Sequence, residues 1–481
     1  MLTLPAETRG ELWQLLVDAI EKYITGVGGA PVAPRLDAEA IRARLAPFDF
    51  ERPVEPLAAL DFAVQSLWRD QVHTPHPRYF GLFNPAPTTM SVAADALVAA
   101  FNPQLAAWSH SPFAAEAEQH LVRAFAERFG FDPGRAEGTF TSGGAEANHT
   151  ALLLALTRAF PEVGRRGMLA LRSQPVLYVS AEAHHSVLKA ARLSGIGAEA
   201  VREIRLDSSL RMRPKDLAAR IRDDREDGVT PFLVVATAGT TGSGAVDPIA
   251  EIAQIAEEEG LWLHVDAAWG GAAALVPELR PVLEGIGRAA SITFDAHKWL
   301  SVPMGAGLFL TRHPGLLERT FRVATGYMPK DAAGQPVADP YAHSLQWSRR
   351  FIGLKVFLSL AVAGWKGYER AIRHQTAMGD LLRTRLREEG WSIVNDTPLP
   401  LVNFVDGEVR EGRSAGFLEA VAADVVASGE AWISTANLGE LGLALRACIT
   451  HHATGPEDVE VLIRALGRAR ARHAVAEETS A

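Results

Sequence analysis

Between Thr139 and Leu310 the chain repeats one alternation, a short apolar run followed by a stretch with helical spacing. The runs are PVLYVS, PFLVVATAG, LWLHVDAA, ASITFDA and GAGLFLT, and DPIAEIAQIAEEEG typifies what separates them. Runs with so little apolar–polar alternation read as strands buried on both faces. They predict an α/β fold, a largely parallel sheet covered by helices. Ligands of such sheets bind beyond the carboxyl ends of the strands, so chemistry is expected in the residues just after each run.

The pattern changes on either side of this region. Residues 1–85 read as helices followed by a proline-rich passage, HTPHPRYFGLFNPAPTT, and residues 86–370 hold the alternating region. SRRFIGLKVFLSLAVAGWKGYERAIRHQ has the spacing of a long amphipathic helix able to join two lobes. From about Ser392, the strand-like WSIVNDTPLPLVNFV, EAWISTANLG and LGLALRACITH alternate with helical segments, which predicts a smaller α+β lobe over residues 371–481. A chain of 481 residues is long enough for such a division.

Composition narrows the class. Hydrophobic residues make up 48 % and charged residues 22 %, the balance of a globular protein. The net charge of −9 speaks against a nucleic-acid binder that relies on a basic surface. Cys448 is the single cysteine, so no internal disulfide or thiolate metal cluster can form, which fits a reducing compartment. The start, MLTLPAETRGELWQLL, lacks the basic head and unbroken apolar centre of a signal peptide. The charge-free stretch from Ala96 to Ala115 is interrupted by Pro103 and Pro112 and is a poor membrane span. The expectation is a soluble, cytoplasmic protein with neither nucleic acid nor membrane as partner.

Five strand ends carry candidate chemistry. In TFTSGGAEANHTALLLALTRAF, the small residues Ser142, Gly143 and Gly144 turn a strand into a helix whose first amides are free to bind an anion such as phosphate. An ordinary glycine turn reads the same way. Asp266 in LHVDAAWGG follows a buried strand and needs a partner, either a ligand or a neighbouring arginine or amide. His184 and His185 in SAEAHHSVLKA follow another strand, and the hydroxyl-rich ATAGTTGSG a further one. Lys298 in DAHKW stands directly after a buried strand; alone, it could simply reach to solvent. Taken together, a phosphate-type turn, a carboxylate, a histidine and an amine in one layer suit a single small molecule. That molecule has an anionic phosphate, a basic ring nitrogen, a flat face and an aldehyde: pyridoxal 5′-phosphate. The lysine would carry its aldehyde, and the aspartate would keep its ring nitrogen protonated.

With HVDAAW and DAHKW as its sharpest motifs, the chain from about Pro75 to Leu466 resembles the group II pyridoxal-phosphate-dependent amino acid decarboxylases. The resemblance implies fold type I and a homodimer with active sites at the interface. It implies an N-terminal segment packed on the partner, and an amino acid substrate that leaves as an amine with release of carbon dioxide. By the same resemblance Lys298 is the cofactor lysine, His297 its neighbouring contact, Asp266 the ring-nitrogen partner and Ala268 a ring contact. Gly144 and Ala145 match the phosphate turn, and Thr241 a threonine near the cofactor. His184 matches the histidine that stacks on the ring and helps hold the substrate carboxylate. Asp295 stands where aromatic decarboxylases commonly have asparagine near the phosphate, and Arg349 and Arg350 match an arginine pair. Tyr341 in GQPVADPYAHSLQWSRRF falls where the family has a mobile loop whose tyrosine protonates the α-carbon in the partner's site.

For the substrate, YFGLFNPAPTT aligns with the pocket-lining segment: Phe83 keeps an aromatic wall, while Asn84 and Pro85 replace the usual proline and threonine. Gln104 and Ala106 stand where bulkier apolar residues are typical of the partner's contribution. An aromatic or other large substrate is favoured. Acidic or diamino substrates, an aldehyde synthase and a carbon–carbon lyase remain as alternatives.

Overall fold

The computed structural model describes residues 2–323, 337–407 and 415–478. Seven strands form the main sheet: β1 (Glu137–Thr141), β2 (Pro175–Ser180), β3 (Val201–Ile204), β4 (Thr230–Thr237), β5 (Trp262–Asp266), β6 (Ser291–Asp295) and β7 (Gly307–Thr311). Their spatial order is β1-β7-β6-β5-β4-β2-β3. From β3 through β2, β4 and β5 to β6 all neighbours are parallel, and helical segments separate strands that follow one another along the chain. β7 runs antiparallel to both β6 and β1. Only residues 296–306 separate β6 from β7, too short a connection for a crossover, so the chain must turn back.

The lack of alternation in the runs now has its reason. On β2, Val176 and Tyr178 enter one hydrophobic core while Leu177 and Val179 enter another; on β4, Val234 and Ala236 oppose Leu233 and Val235 in the same way. Successive side chains of a strand point to opposite faces, and here both faces are covered. The helices Gly144–Ala159 and Ser186–Leu193 pack together on the second of these faces.

A second sheet, antiparallel, has the order β10-β11-β9-β8, with β8 Trp391–Ile393, β9 Leu401–Asp406, β10 Ser434–Asn437 and β11 Leu443–Cys448. The helices Ala415–Ala427 and Pro456–Glu478 cover it. The helix Gly353–Glu388 runs from one lobe to the other and breaks once, at Gly364, whose φ of 63° lies in the region open to glycine. Three N-terminal helices, Ala6–Gly26, Ala38–Leu45 and Pro56–Arg69, contain no buried residue and leave Trp13, Val17, Ile24 and Leu67 exposed. Among the described residues no helix is long and apolar enough to cross a membrane.

Candidate active site

Register sets the floor of the site. Thr237 at the end of β4 lies beside Asp266 at the end of β5, and Asp266 lies beside Thr293 on β6. β6 then ends at Asp295, and the short helix Ala296–Trp299 lifts Lys298 over the strand ends. A cavity of about 260 Å³ opens there. Asp266, Ala268, Asp295, His297 and Lys298 reach it from these two strand ends. Ser142, Gly144 and Ala145 reach it from the turn after β1, His184 from beyond β2, Thr241 from beyond β4, and Phe83 from the N-terminal passage. Lys298, Asp266 and His184 therefore share one cavity.

Each group is held in place. Lys298 Nζ lies 3.1 Å from Asp295 Oδ2 in an ion pair. Asp266, buried, accepts hydrogen bonds from Asn148 Nδ2 at 2.7 Å and from the Ala268 amide at 3.2 Å, which fix the direction of its carboxylate. His184 Nδ1 accepts from the Ser186 amide at 3.2 Å, which puts the ring proton on Nε2. The His184 side chain is open to the cavity, yet the protein around it lowers its pKa; desolvation leads, Asp266 opposes and Lys298 adds. His297 Nδ1 accepts from the Ala306 amide at 3.2 Å, and burial lowers its pKa against the pull of Asp295. Both imidazoles are thus neutral near pH 7.

The small lobe contributes by holding the loop that bears Thr241. Asn395 Nδ2 donates to the Ser243 carbonyl at 2.8 Å, Thr397 Oγ1 to Gly244 at 2.7 Å, and Arg446 Nε to Thr241 at 2.9 Å. Phe83, the expected substrate wall, stacks on Trp269 with ring centres 4.5 Å apart, and Trp269 stacks on Trp299 at 5.2 Å. Asn84 Nδ2 contacts Met304 Sδ at 3.1 Å, and neither Asn84 nor the buried Pro85 lines the cavity.

Tyr341 stands apart from the cavity of its own chain. It is buried, its ring 4.7 Å from that of Trp347, and its amide donates to the Ala106 carbonyl at 3.1 Å. The first residues of its loop, Gly334 to Pro336, lie outside the described residues. The arginine pair divides: Arg349 forms a buried ion pair with Glu118 at 2.7 Å, whereas Arg350 meets Asp95 near the surface. Reasoning from the sequence missed Asn148, His264 and Thr293, which line up behind Asp266. The signal was available, because WLHVD and SITFD carry polar residues at every second position of otherwise apolar strands.

The cavity fits pyridoxal phosphate on its own features. The amides of Gly144 and Ala145 begin a sixteen-residue helix with no acceptor among the described residues, a ready phosphate site. A Cβ on Gly144 would lie 2.9 Å from Asp295 Oδ2 and 3.3 Å from Ala268 Cβ, so the missing side chain is what leaves room. Thr237 Oγ1 and Asp295 Oδ1 are buried without a hydrogen-bond partner among the described residues, and both residues line the cavity.

Comparisons with known proteins agree. Residues 41–405 match the pyridoxal-dependent decarboxylase conserved domain. An aromatic-L-amino-acid decarboxylase of Bacillus atrophaeus is 30% identical over 465 residues, 95% of this chain and 94% of that one. The acidic amino acid decarboxylase GADL1 of Bos taurus is 33% identical over 354 residues, 73% of this chain and 67% of that one. The crystal structure of Rhodiola rosea 4-hydroxyphenylacetaldehyde synthase superposes with a TM-score of 0.88 at 25% identity, over 97% of this chain and 98% of that one. The mostly parallel sheet and the chemistry gathered at its strand ends are those of a pyridoxal-phosphate enzyme of fold type I. The chain belongs to the pyridoxal-dependent decarboxylase family. It is a pyridoxal-phosphate-dependent decarboxylase of amino acids.

Proposed function

We propose that the substrate is an L-amino acid with an aromatic or similarly large apolar side chain. The observation that carries this is the stacked wall of Phe83, Trp269 and Trp299 beside Lys298, whose Nζ is 5.6 Å from the Phe83 ring centre. A flat apolar wall favours a flat apolar group. A second reading, an acidic side chain, has one feature in its favour. The guanidinium of Arg446 is buried, and its Nη2 has no hydrogen-bond partner among the described residues. It lies 5.3 Å from the Phe83 ring centre, however, and does not line the cavity, so the aromatic reading stands.

When bound, the cofactor supplies an electron sink for the pair released as carbon dioxide leaves. Lys298 holds its aldehyde, and the turn Ser142–Ala145 with His297 and Asp295 surrounds its phosphate end. Thr241 and Ala268 line the same cavity, where Ala268 would lie against the ring and Thr241 near the cofactor. Asp266 would face the ring nitrogen and hold a proton there, an interaction that counts most in the transition state. His184 covers the open face and directs the substrate carboxylate, which decides which bond breaks.

The same reading assigns the assembly. The three exposed N-terminal helices pack against a second copy, which covers their apolar faces. Tyr341 and Ala106, joined backbone to backbone, serve the partner's cavity rather than their own, where Tyr341 returns the proton to the α-carbon and yields the amine. The chain divides at about residues 85 and 370, and the enzyme works in the cytoplasm. The test is a screen of protein and common non-protein amino acids for carbon dioxide release, with matched amine, by purified protein supplied with pyridoxal phosphate. Turnover highest on aromatic substrates is expected; turnover confined to acidic or diamino substrates would overturn the aromatic reading.

A further inference from the structure

His264 is fully buried at the centre of β5, and the chemistry described so far makes no use of it. It is not alone. On β5 the side chains of Trp262, His264 and Asp266 share one face, and on β6 those of Ser291 and Thr293 do the same. The helix Gly144–Ala159 lays Asn148 across them. Every polar atom in this row finds a partner. Trp262 Nε1 lies 2.9 Å from Ser291 Oγ, which lies 2.8 Å from His264 Nδ1. His264 Nε2 is 3.0 Å from Asn148 Oδ1, and Thr293 Oγ1 is 2.7 Å from the same oxygen. Asn148 Nδ2 reaches Asp266 Oδ2 at 2.7 Å and Ser186 Oγ at 2.8 Å.

With Asn148 Nδ2 facing Asp266, its Oδ1 faces His264 Nε2, and Thr293 Oγ1 lies 3.1 Å from that same nitrogen; one order of donors satisfies all of these contacts together. In that order the indole N–H of Trp262 donates to Ser291 Oγ, whose own hydrogen goes to His264 Nδ1. His264 then carries its proton on Nε2 and donates to Asn148 Oδ1, as does the Thr293 hydroxyl. With two donors on its oxygen, the amide of Asn148 is fixed with its NH₂ toward Asp266, because the flipped amide would set oxygen against carboxylate and nitrogen against two N–H or O–H donors. Burial holds the His264 pKa down at about 4, so the neutral, single-proton form that this order requires is the one present near pH 7.

We propose that Asn148, locked by His264 and Thr293, is the positioning residue that keeps Asp266 aimed at the cofactor's ring nitrogen. The inference rests on the cofactor reading above and adds the device that sets the cofactor's protonation. A carboxylate that receives a short N–H bond at one oxygen and a backbone amide at the other is held in one direction. Without the Asn148 bond, Asp266 would hold a ring-nitrogen proton less firmly. The other charged and titratable groups in the cavity with Asp266 are His184 from beyond β2, Asp295 at the end of β6, and His297 and Lys298 just after it; all four are outside the row.

The test uses the full-length enzyme loaded with pyridoxal phosphate labelled with ¹⁵N in the ring, and reads the nitrogen resonance together with coenzyme Kd. The wild-type enzyme is expected to show a protonated ring nitrogen. Asn148→Ala and His264→Leu should move that resonance downfield toward the free base. They should also raise coenzyme Kd by about tenfold, the size of one lost hydrogen bond to a charged group. Thr293→Val, which removes a single hydroxyl, should move it less. His264→Gln keeps an amide N–H able to reach Asn148 Oδ1 and should restore the wild-type resonance. If the folded variants keep the wild-type resonance and Kd, the row is packing only and the proposal falls. Should Asn148→Ala fail to fold, His264→Leu and Thr293→Val decide the matter by the same two readings. A wild-type enzyme that binds no coenzyme at all would instead overturn the cofactor reading on which the proposal rests.

Discussion

Lys298 and Asp295 form an ion pair inside the cavity, and the two residues flank His297 within one short segment. Such closeness was partly legible in the sequence, because DAHKW after an apolar run places an acid, an imidazole and an amine at one strand end. What a linear pattern cannot carry is the partner in space. The carboxylate oxygen of Asp295 that meets Lys298 also lies where a Gly144 side chain would be, from a turn about 150 residues earlier. Tyr341 is the residue for which sequence and single-chain geometry diverge most, since it lines no part of its own chain's cavity. If it serves the partner's cavity as the proton donor, Tyr341→Phe diverts product from amine to aldehyde, with oxygen consumed and peroxide formed. Paired amine and peroxide assays check this, and unchanged amine output removes Tyr341 from the chemistry.

At the scale of elements, the parallel strands were readable because both faces of each are apolar, a pattern that direction does not alter. For the same reason the antiparallel course of β7 was not readable from its run; it follows from the short link after β6. The break at Gly364 in the long connecting helix likewise has no signature beyond a glycine among helix formers. The start of the helix Gly144–Ala159 is the element most exposed to a single substitution. Gly144→Ala places a methyl 2.9 Å from Asp295 Oδ2, at the proposed phosphate site. Displacing the ion-paired carboxylate costs about 1–3 kcal/mol. We therefore expect the variant to fold and its coenzyme Kd to rise about tenfold in an absorbance titration. Unchanged affinity would show that the phosphate sits elsewhere.

For the whole molecule, buried imidazoles set the response to acid. Burial pushes His76 and His264 down to about 4 and His451 to about 3. The unfolded chain, with imidazole pKa near 6.5, takes up protons that the folded chain refuses, so stability falls as pH drops from about 6.5 toward 4. Asp247 acts in the opposite sense. Its buried carboxyl is held up to about 6, so the folded form gains protons first and its contribution improves as pH falls over that range. Three imidazoles, each losing on the order of 2 kcal/mol between pH 7 and 5, outweigh one carboxyl. The Tm of the coenzyme-free protein should be lower at pH 5 than at pH 7, and a Tm that holds or rises on acidification contradicts the assignment. The two lobes, the loop that the small lobe holds and the facing strand ends all converge on one amine, and that amine gives the most direct test. Borohydride reduction of the yellow enzyme, followed by peptide mapping, should fix the pyridoxyl group on Lys298 alone. A colourless protein, or a label on any other lysine, would contradict the account at its centre.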